Sequence, residues 1–282
     1  MPDDTAPVST IIRHAVDRLR VGGVADSRRE AMRIWSDLTG NRWGIALEGT
    51  DRGALMRFQQ AVERRARGEP LPYVTGTTGF RQLSLRSDRR ALIPRPETEG
   101  LVEHLLERVR RGVVADVGTG SGCLALSLAL EGSFSHIIGI DRSRDAIALA
   151  HENATALRTS TRVDLVQGDL CRPLRRAAFD ALISNPPYLT TEEHAALDPS
   201  VREWEPALAL IGGLDGLEVT TRLLDEGREV LRTGGWLALE IDCSRAGQTA
   251  MAAIRQGWEN VSIHEDLFGR ERYLLAQRSD SP

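Results

Sequence analysis

The chain has 282 residues, with 36 basic and 40 acidic side chains and a formal net charge of −4. At 41% hydrophobic and 27% charged residues it reads as a globular protein able to bury a full core without disulfides or metals. No apolar run approaches the ~20 residues of a membrane helix, and Cys123, Cys171 and Cys243 are odd in number and scattered, so membrane and disulfide-knot classes are excluded and a reducing cytoplasm is expected.

The amino terminus, MPDDTAPVST, is acidic and polar and shows neither a secretory signal nor an Arg-rich transit peptide. The first 70 residues predict short amphipathic helices. Ile11, Ile12, Ala15, Val16 and Leu19 recur at helical spacing, as do Ala31, Ile34, Trp35 and Leu38, then Leu55, Phe58 and Val62. Gly22-Gly23, Gly40-Asn41 and Gly49 punctuate them. Each helix has one apolar stripe, so a small bundle is expected, with Trp35 and Trp43 in its core.

Residues 76–93 predict a β-hairpin or extended connector, with Phe80, Leu83, Leu85 and Leu92 around a Ser-Asp turn. Arg81, Arg86, Arg89 and Arg90 read as a solvated face protecting the edge. Pro94-Arg95-Pro96 interrupts regular structure. A helix is predicted next, with Pro96 near its first turn and Leu101, Val102, Leu105 and Val109 along one face.

From residue 113 strands and helices alternate. VVADV (113–117), HIIGI (136–140), VDLV (163–166), FDALIS (179–184) and WLALEI (236–241) are apolar runs separated by helical or loop sequence. That pattern predicts a parallel sheet covered on both faces, an α/β fold. VSIHED and RYLLAQ predict two late strands, one of them antiparallel.

Charge divides along the same line. Residues 1–95 carry 17 Arg and 11 acids, net +6, while residues 96–282 carry 19 Arg and 29 acids, net −10. The chain contains no lysine. Uniform use of arginine fits genome bias and marks no site, and the acidic larger part is a poor platform for nucleic acid.

Three constellations carry chemistry. Asp116-Val-Gly118-Thr119-Gly120-Ser121-Gly122 ends the first strand of the alternating region and opens a helix. Glycines there permit a sharp turn and a close ligand approach. Cys123 replaces the small residue of a dinucleotide fingerprint, and no Gly-Lys-Ser/Thr follows, so the loop suits a nucleoside without a pyrophosphate. Asp141 ends the next strand, where an acid accepts hydrogen bonds from ribose hydroxyls; helix capping is the alternative for such an Asp. Asp169, after the third strand, reads equally well as an acceptor for an adenine amino group or as a turn residue.

Asn185-Pro186-Pro187-Tyr188 follows FDALIS. The prolines make it stiff, Asn185 and Pro186 offer carbonyls, and Tyr188 offers an aromatic wall. An acceptor-rich loop without a strong base suits a planar NH₂ group, either a carboxamide or a base amine. The six histidines, at 14, 104, 136, 151, 194 and 264, form no metal-ligand pattern and read as helix-surface residues.

Glycine loop, ribose acid and NPPY together resemble the Rossmann-like methyltransferases that use S-adenosylmethionine. With GEPLPYVTG (68–76), LIPRPETE (92–99), DVGTGSG and EWEP (203–206), the chain from about residue 68 onward resembles the HemK/PrmC protein-(glutamine-N5) methyltransferases. The resemblance implies a Rossmann-like methyltransferase domain over 96–282, a hairpin connector over 75–95 and an all-helical substrate-recognition domain over 1–74. It implies S-adenosylmethionine as donor, S-adenosylhomocysteine as product, no metal, and cytoplasmic release factors as protein substrates, methylated on the glutamine of Gly-Gly-Gln. Gly118, Thr119, Gly120, Ser121 and Gly122 would wrap the methionine part, Asp141 would hold the ribose, and Asp169 and Leu170 would border the adenine. Asn185 would touch donor and substrate, and Pro186, Pro187 and Tyr188 would hold the amide; catalysis is expected of Asn185, Pro186 and Tyr188. Methylation of a ribosomal-protein glutamine or of a nucleic-acid base amine is the alternative, and a non-catalytic nucleoside-binding module would leave NPPY unexplained. Asp242 departs from the Gly or His expected after WLALEI.

Overall fold

The computed structural model describes residues 8–40, 52–159 and 162–279. These residues form two compact units, one comprising the chain up to Thr77 together with Asp198–Trp204, the other comprising Thr78–Leu197 and Glu205 onward.

The first unit holds α1 (Val8–Val21), α2 (Ser27–Thr39), α3 (Arg52–Ala66) and the short α4 (Leu71–Thr75). Their apolar stripes meet in one core containing Ile12, Leu19, Ile34, Trp35, Phe58 and Val62. Trp35 and Phe58 pack edge to face at 5.1 Å. Helix α1 turns away at Gly22, where an added Cβ would sit 2.5 Å from the carbonyl oxygen of Ala66, so only glycine permits the approach. Arg18 pairs with Glu63, and Arg65 pairs with Glu30, across helices. Trp43, Asn41 and Gly49 lie outside the described residues.

The second unit opens with the hairpin β1 (Thr77–Phe80) and β2 (Leu83–Arg86), then a 3₁₀ turn over Pro96–Thr98 and α5 (Glu99–Arg108). The hairpin reverses at Arg81-Gln82, not at Ser87-Asp88, with Arg81 in the left-handed region at φ 49°. Placing the turn there puts Phe80, Leu83 and Leu85 together in the core. Helix α5 ends one residue earlier than the apolar pattern predicts: Val109 is extended at φ −143° and leads into the next strand.

Arg81 and Arg90 are structural ties, whereas Arg86 and Arg89 are exposed as expected of a solvated face. Arg81 grips Glu131 in a bidentate pair at 2.7 and 2.6 Å and donates to the carbonyl of Glu99 at 3.0 Å. Arg90 and Arg86 both reach Glu152. Arg81→Ala is therefore expected to cost about 2 kcal/mol of stability, because Glu131 is left shielded and unpaired. Urea unfolding checks this: Glu131→Ala added on top should cost little more, since the pair is already broken.

The sheet follows: β3 (Arg111–Val117), α6 (Cys123–Glu131), β4 (Ser133–Asp141), α7 (Arg144–Ala156), β5 (Val163–Gln167), β6 (Phe179–Ser184), α8 (Thr191–Ala195), α9 (Pro199–Arg202, within the helical unit's segment), α10 (Glu218–Val230), β7 (Leu231–Glu240), α11 (Ala246–Arg255), β8 (Trp258–Glu265) and β9 (Glu271–Arg278). Seven strands lie in the order β5-β4-β3-β6-β7-β9-β8. The first five are parallel, and β9 runs antiparallel between β7 and β8. Helices cover both faces. Leu101, Leu105, Leu124 and Leu128 pack with Val114, Ile183 and Ala238 on one side, while Leu223, Leu224 and Ala253 pack with Ala115, Leu182, Leu237 and Leu239 on the other. Among the described residues no helix is long and apolar enough to cross a membrane.

Chain order reverses between β4-β3 and β6, which opens a crevice at the carboxyl ends of the strands. The loops after β3, β4, β5 and β6 all end there, and they carry Gly118, Asp141, Asp169 and Asn185.

Candidate active site

Gly118 and Gly120 are required by conformation rather than by crowding, whereas at Gly122 a Cβ would also lie 3.1 Å from Leu126. Gly118, Gly120 and Gly122 have φ of 74°, 56° and 86°, a region that side chains rarely adopt. Nothing lies closer than 3.9 Å to a Cβ built at Gly118 or Gly120, so the loop leaves open space above its backbone. The amides of Gly118 and Thr119 both donate to the carbonyl of Ile140, which pins the loop to β4. Gly122 forms the amino-terminal cap position of α6.

Asp116 sits beneath the loop and is fully buried. Its Oδ2 accepts from Thr119 Oγ1 at 2.6 Å and from the amide of Ala125 at 3.0 Å, while Oδ1 has no partner among the described residues. Burial pushes this carboxyl up to about 7. Asp141 accepts from the amide of Gly120 at 2.9 Å and from that of Ser143 at 2.8 Å, and burial raises it too. It thus joins the first and second loops. Ser143, not Asp141, supplies the side-chain cap of α7.

Asp169 lies in the same cleft and accepts from Arg222 at 2.9 Å, and that guanidinium holds its carboxyl below the ordinary range. Leu170 follows at φ 50°, a costly conformation for a branched side chain, and lines the cleft beside it.

Gly118, Thr119, Gly120, Ser121, Asp141, Asp169, Leu170 and Asn185 line one cleft. Gly122, Pro186 and Tyr188 are not in its wall, whereas Pro187 is. Asn185 Nδ2 donates to Thr98 Oγ1 at 3.1 Å, and Thr98 donates to Glu240 Oε2 at 2.6 Å. Tyr188 turns its hydroxyl onto the other oxygen of Glu240, at 3.2 Å. Glu240 is buried, which raises its carboxyl.

The cleft fits a nucleoside with a short linker. Its glycine backbone leaves room, Asp141 sits at a strand tip, and apolar side chains such as Leu170, Ala146 and Ile211 can face a flat base. Asp141 and Asp169 are the acids of this wall, beside Arg90, Arg95, Arg142 and Arg222, and Asp169 is already paired with Arg222.

A family model described as a methyltransferase small domain matches residues 96–201, and one described as a PrmC N-terminal domain matches residues 10–76. A release factor glutamine methyltransferase of Moorella thermoacetica is 42% identical over 275 residues, 94% of this chain and 96% of its own length. This chain belongs to the release factor glutamine methyltransferase family. A member from Deinococcus radiodurans is 38% identical over 95% of this chain and 98% of its own. The crystal structure of a methyltransferase from Pyrococcus furiosus shares the fold, with a TM-score of 0.53 and 21% identity over 69% of this chain and 88% of that one.

As a member of this family the chain is a methyltransferase, and the structure adds residues that the motifs left without a role. Thr98 and Glu240 connect to NPPY as described. Glu205, from EWEP, is buried and accepts from the amide of Ile93 and from Arg95, so it fastens the IPRP segment. Asn153 accepts from the amide of Arg86 and donates to the carbonyl of Ser121, which ties the hairpin to the glycine loop. The only sequence signal for Thr98 and Glu205 was their place inside the family's segments; Asn153 gave none. Asp242, the departure from the family pattern, accepts from the amide of Ser244 and pairs with Arg245, so it caps a 3₁₀ turn. The histidines are not all on helices: His136 lies on β4 and pairs with Asp164, and His264 lies on β8 and stacks on His104.

The raised carboxyl of Asp116 has a stability consequence with a definite sign. An acid whose folded value lies above its unfolded value favours the fold when protonated, so its contribution is full below about 4 and is lost as pH rises toward about 7. Asp116→Asn is expected to flatten this decline, because the amide does not titrate, and its oxygen in place of Oδ2 still accepts from Thr119 and Ala125. Denaturation midpoints of both proteins across that range check it; an unchanged slope refutes the assignment.

Proposed function

We propose that this enzyme methylates the side-chain amide nitrogen of the glutamine in the Gly-Gly-Gln loop of peptide-chain release factors, using S-adenosylmethionine. The observation that carries the reading is NPPY at the tip of β6, beside a glycine-loop cleft suited to a nucleoside. The names of its relatives agree with that substrate. The backbone of residues 118–122 would hold the methionine part of the donor, Asp141 the ribose hydroxyls, and Asp169 with Leu170 the adenine. When bound, the donor supplies an electrophilic methyl on a cationic sulfur and departs as a neutral thioether.

An amide nitrogen is a poor nucleophile because its lone pair is delocalised. The protein therefore contributes alignment and electrostatics more than acid-base chemistry. Asn185 Oδ1 and the main-chain carbonyl of Pro186 accept the two amide hydrogens and aim the nitrogen. The stiffness of Pro186-Pro187 keeps those acceptors fixed, and fixed alignment of reactants is worth roughly 7–11 kcal/mol. As the nitrogen forms its bond to carbon it becomes positive, and both hydrogen bonds strengthen before one proton leaves to solvent. Tyr188, held by Glu240, supports the substrate side of the loop.

The test is a methyl-transfer assay with S-adenosylmethionine and an unmethylated release factor, followed by intact-mass measurement and peptide mapping. One added methyl on the Gly-Gly-Gln glutamine is the expected result. Transfer to a ribosomal protein or to nucleic acid instead would overturn the substrate and keep the chemistry.

A further inference from the structure

We propose that Glu240 is a positioning residue which, through Thr98, dictates that the Asn185 carboxamide presents its oxygen rather than its NH₂ to the substrate. This rests on the reading above that Asn185 holds the glutamine amide. The argument follows from counting hydrogens. Glu240 ends β7 on the same face as Trp236 and Ala238, which aims it at the 3₁₀ turn ahead of α5. An ionised carboxylate can only accept. While Glu240 is ionised, the single hydroxyl hydrogen of Thr98 is committed to its Oε2, at 2.6 Å. The Thr98 oxygen is left as an acceptor, so the neighbouring end of Asn185, 3.1 Å away, must be the NH₂. That places Oδ1 at the opposite end, where the reading above needs an acceptor. The other Glu240 oxygen accepts from Tyr188, so one buried carboxylate holds both ends of Asn185–Tyr188.

Protonation of Glu240 reverses the chain of donors. A neutral acid can donate to Thr98, whose hydroxyl then turns toward Asn185 and favours the flipped carboxamide. The groups facing Glu240 are Thr98 and Glu97 ahead of α5, Tyr188 after β6, Arg272 and Tyr273 on β9, and Cys123 at the start of α6. Arg272 favours the charged form, while burial and Glu97 oppose it. Turnover should therefore fall on the acid side as Glu240 takes up a proton.

The experiment uses the full chain, S-adenosylmethionine and an unmethylated release factor, with Thr98→Val, Thr98→Ser, Glu240→Gln and Asn185→Ala in parallel. Thr98→Val keeps the shape and removes the hydroxyl. It should lower kcat by about tenfold to thirtyfold, the worth of an orienting hydrogen bond, and leave the affinity for S-adenosylhomocysteine unchanged. Thr98→Ser retains the hydroxyl and should restore kcat. In Glu240→Gln the acid limb of the kcat profile should vanish, because the amide does not titrate. Wild-type kcat in Thr98→Val, or an equal loss in Thr98→Ser, overturns the relay while Asn185→Ala remains defective. Near-normal turnover of Asn185→Ala overturns the underlying reading instead, and the relay with it. The Thr98 pair decides the matter whether or not Glu240→Gln folds.

Discussion

Asn185→Ala is expected to lower kcat for release-factor methylation by about 10²–10³, or about 3–4 kcal/mol, the scale seen when one preorganised polar group facing developing charge is removed. The loss should fall on kcat because the hydrogen bond from the amide strengthens as its nitrogen becomes positive. Donor affinity should change little, since the glycine loop and Asp141 are untouched. The fold should survive as well. Asn185 is only partly buried, and the side chain gives up one hydrogen bond, to Thr98. Single-turnover kinetics with saturating donor isolates the effect. A variant that turned over normally would remove Asn185 from the chemistry.

Asp141→Ala should show the opposite signature. Here the expected loss is in donor affinity, by about 30- to 150-fold or roughly 2–3 kcal/mol, the worth of hydrogen bonds to a charged group. Two effects combine. The carboxylate no longer meets the ribose hydroxyls, and the amide of Gly120 loses the acceptor that holds the loop in place. At saturating donor kcat should recover most of its value, because NPPY is unaffected. Calorimetric titration with S-adenosylhomocysteine measures the first effect directly. Unchanged affinity would assign Asp141 to loop structure alone.

The two substitutions separate what the protein does into holding the donor and aiming the acceptor. On the proposed reading, donor contacts come from the loops after β3, β4 and β5, and acceptor contacts come from the loop after β6. They meet because chain order reverses beside β3. The family relationship fixes the class of reaction, and the proposed relay through Glu240 would make a motif without an acid or base directional.

Much of this architecture was legible in the residues. The apolar runs announced the parallel strands because the central ones are buried on both faces, and Gly118, Gly120 and Gly122 announced a loop in a conformation that other residues rarely adopt. Asp141 and Asn185 could be placed because they end apolar runs, and in a parallel sheet those ends share one edge. Three things were not legible. The hairpin turn lies at Arg81-Gln82 because burial of Phe80, Leu83 and Leu85 sets the register, whereas the turn that begins at Asp88 follows the hairpin and does not close it. Arg81 and Arg90 looked solvated because their partners, Glu131 and Glu152, lie 50 or more residues away. Glu240 looked like the end of an apolar strand. Its partners Thr98 and Tyr188 lie 142 and 52 residues distant, and nothing local marks it as polar for a reason. Local pattern therefore determined the strands, the donor loop and the family, since those depend on backbone conformation and periodic burial. The pairing of charges and the direction of hydrogen bonds across the sheet were decided only by the tertiary structure, because a donor and an acceptor far apart in the chain become partners only after the core has closed around them.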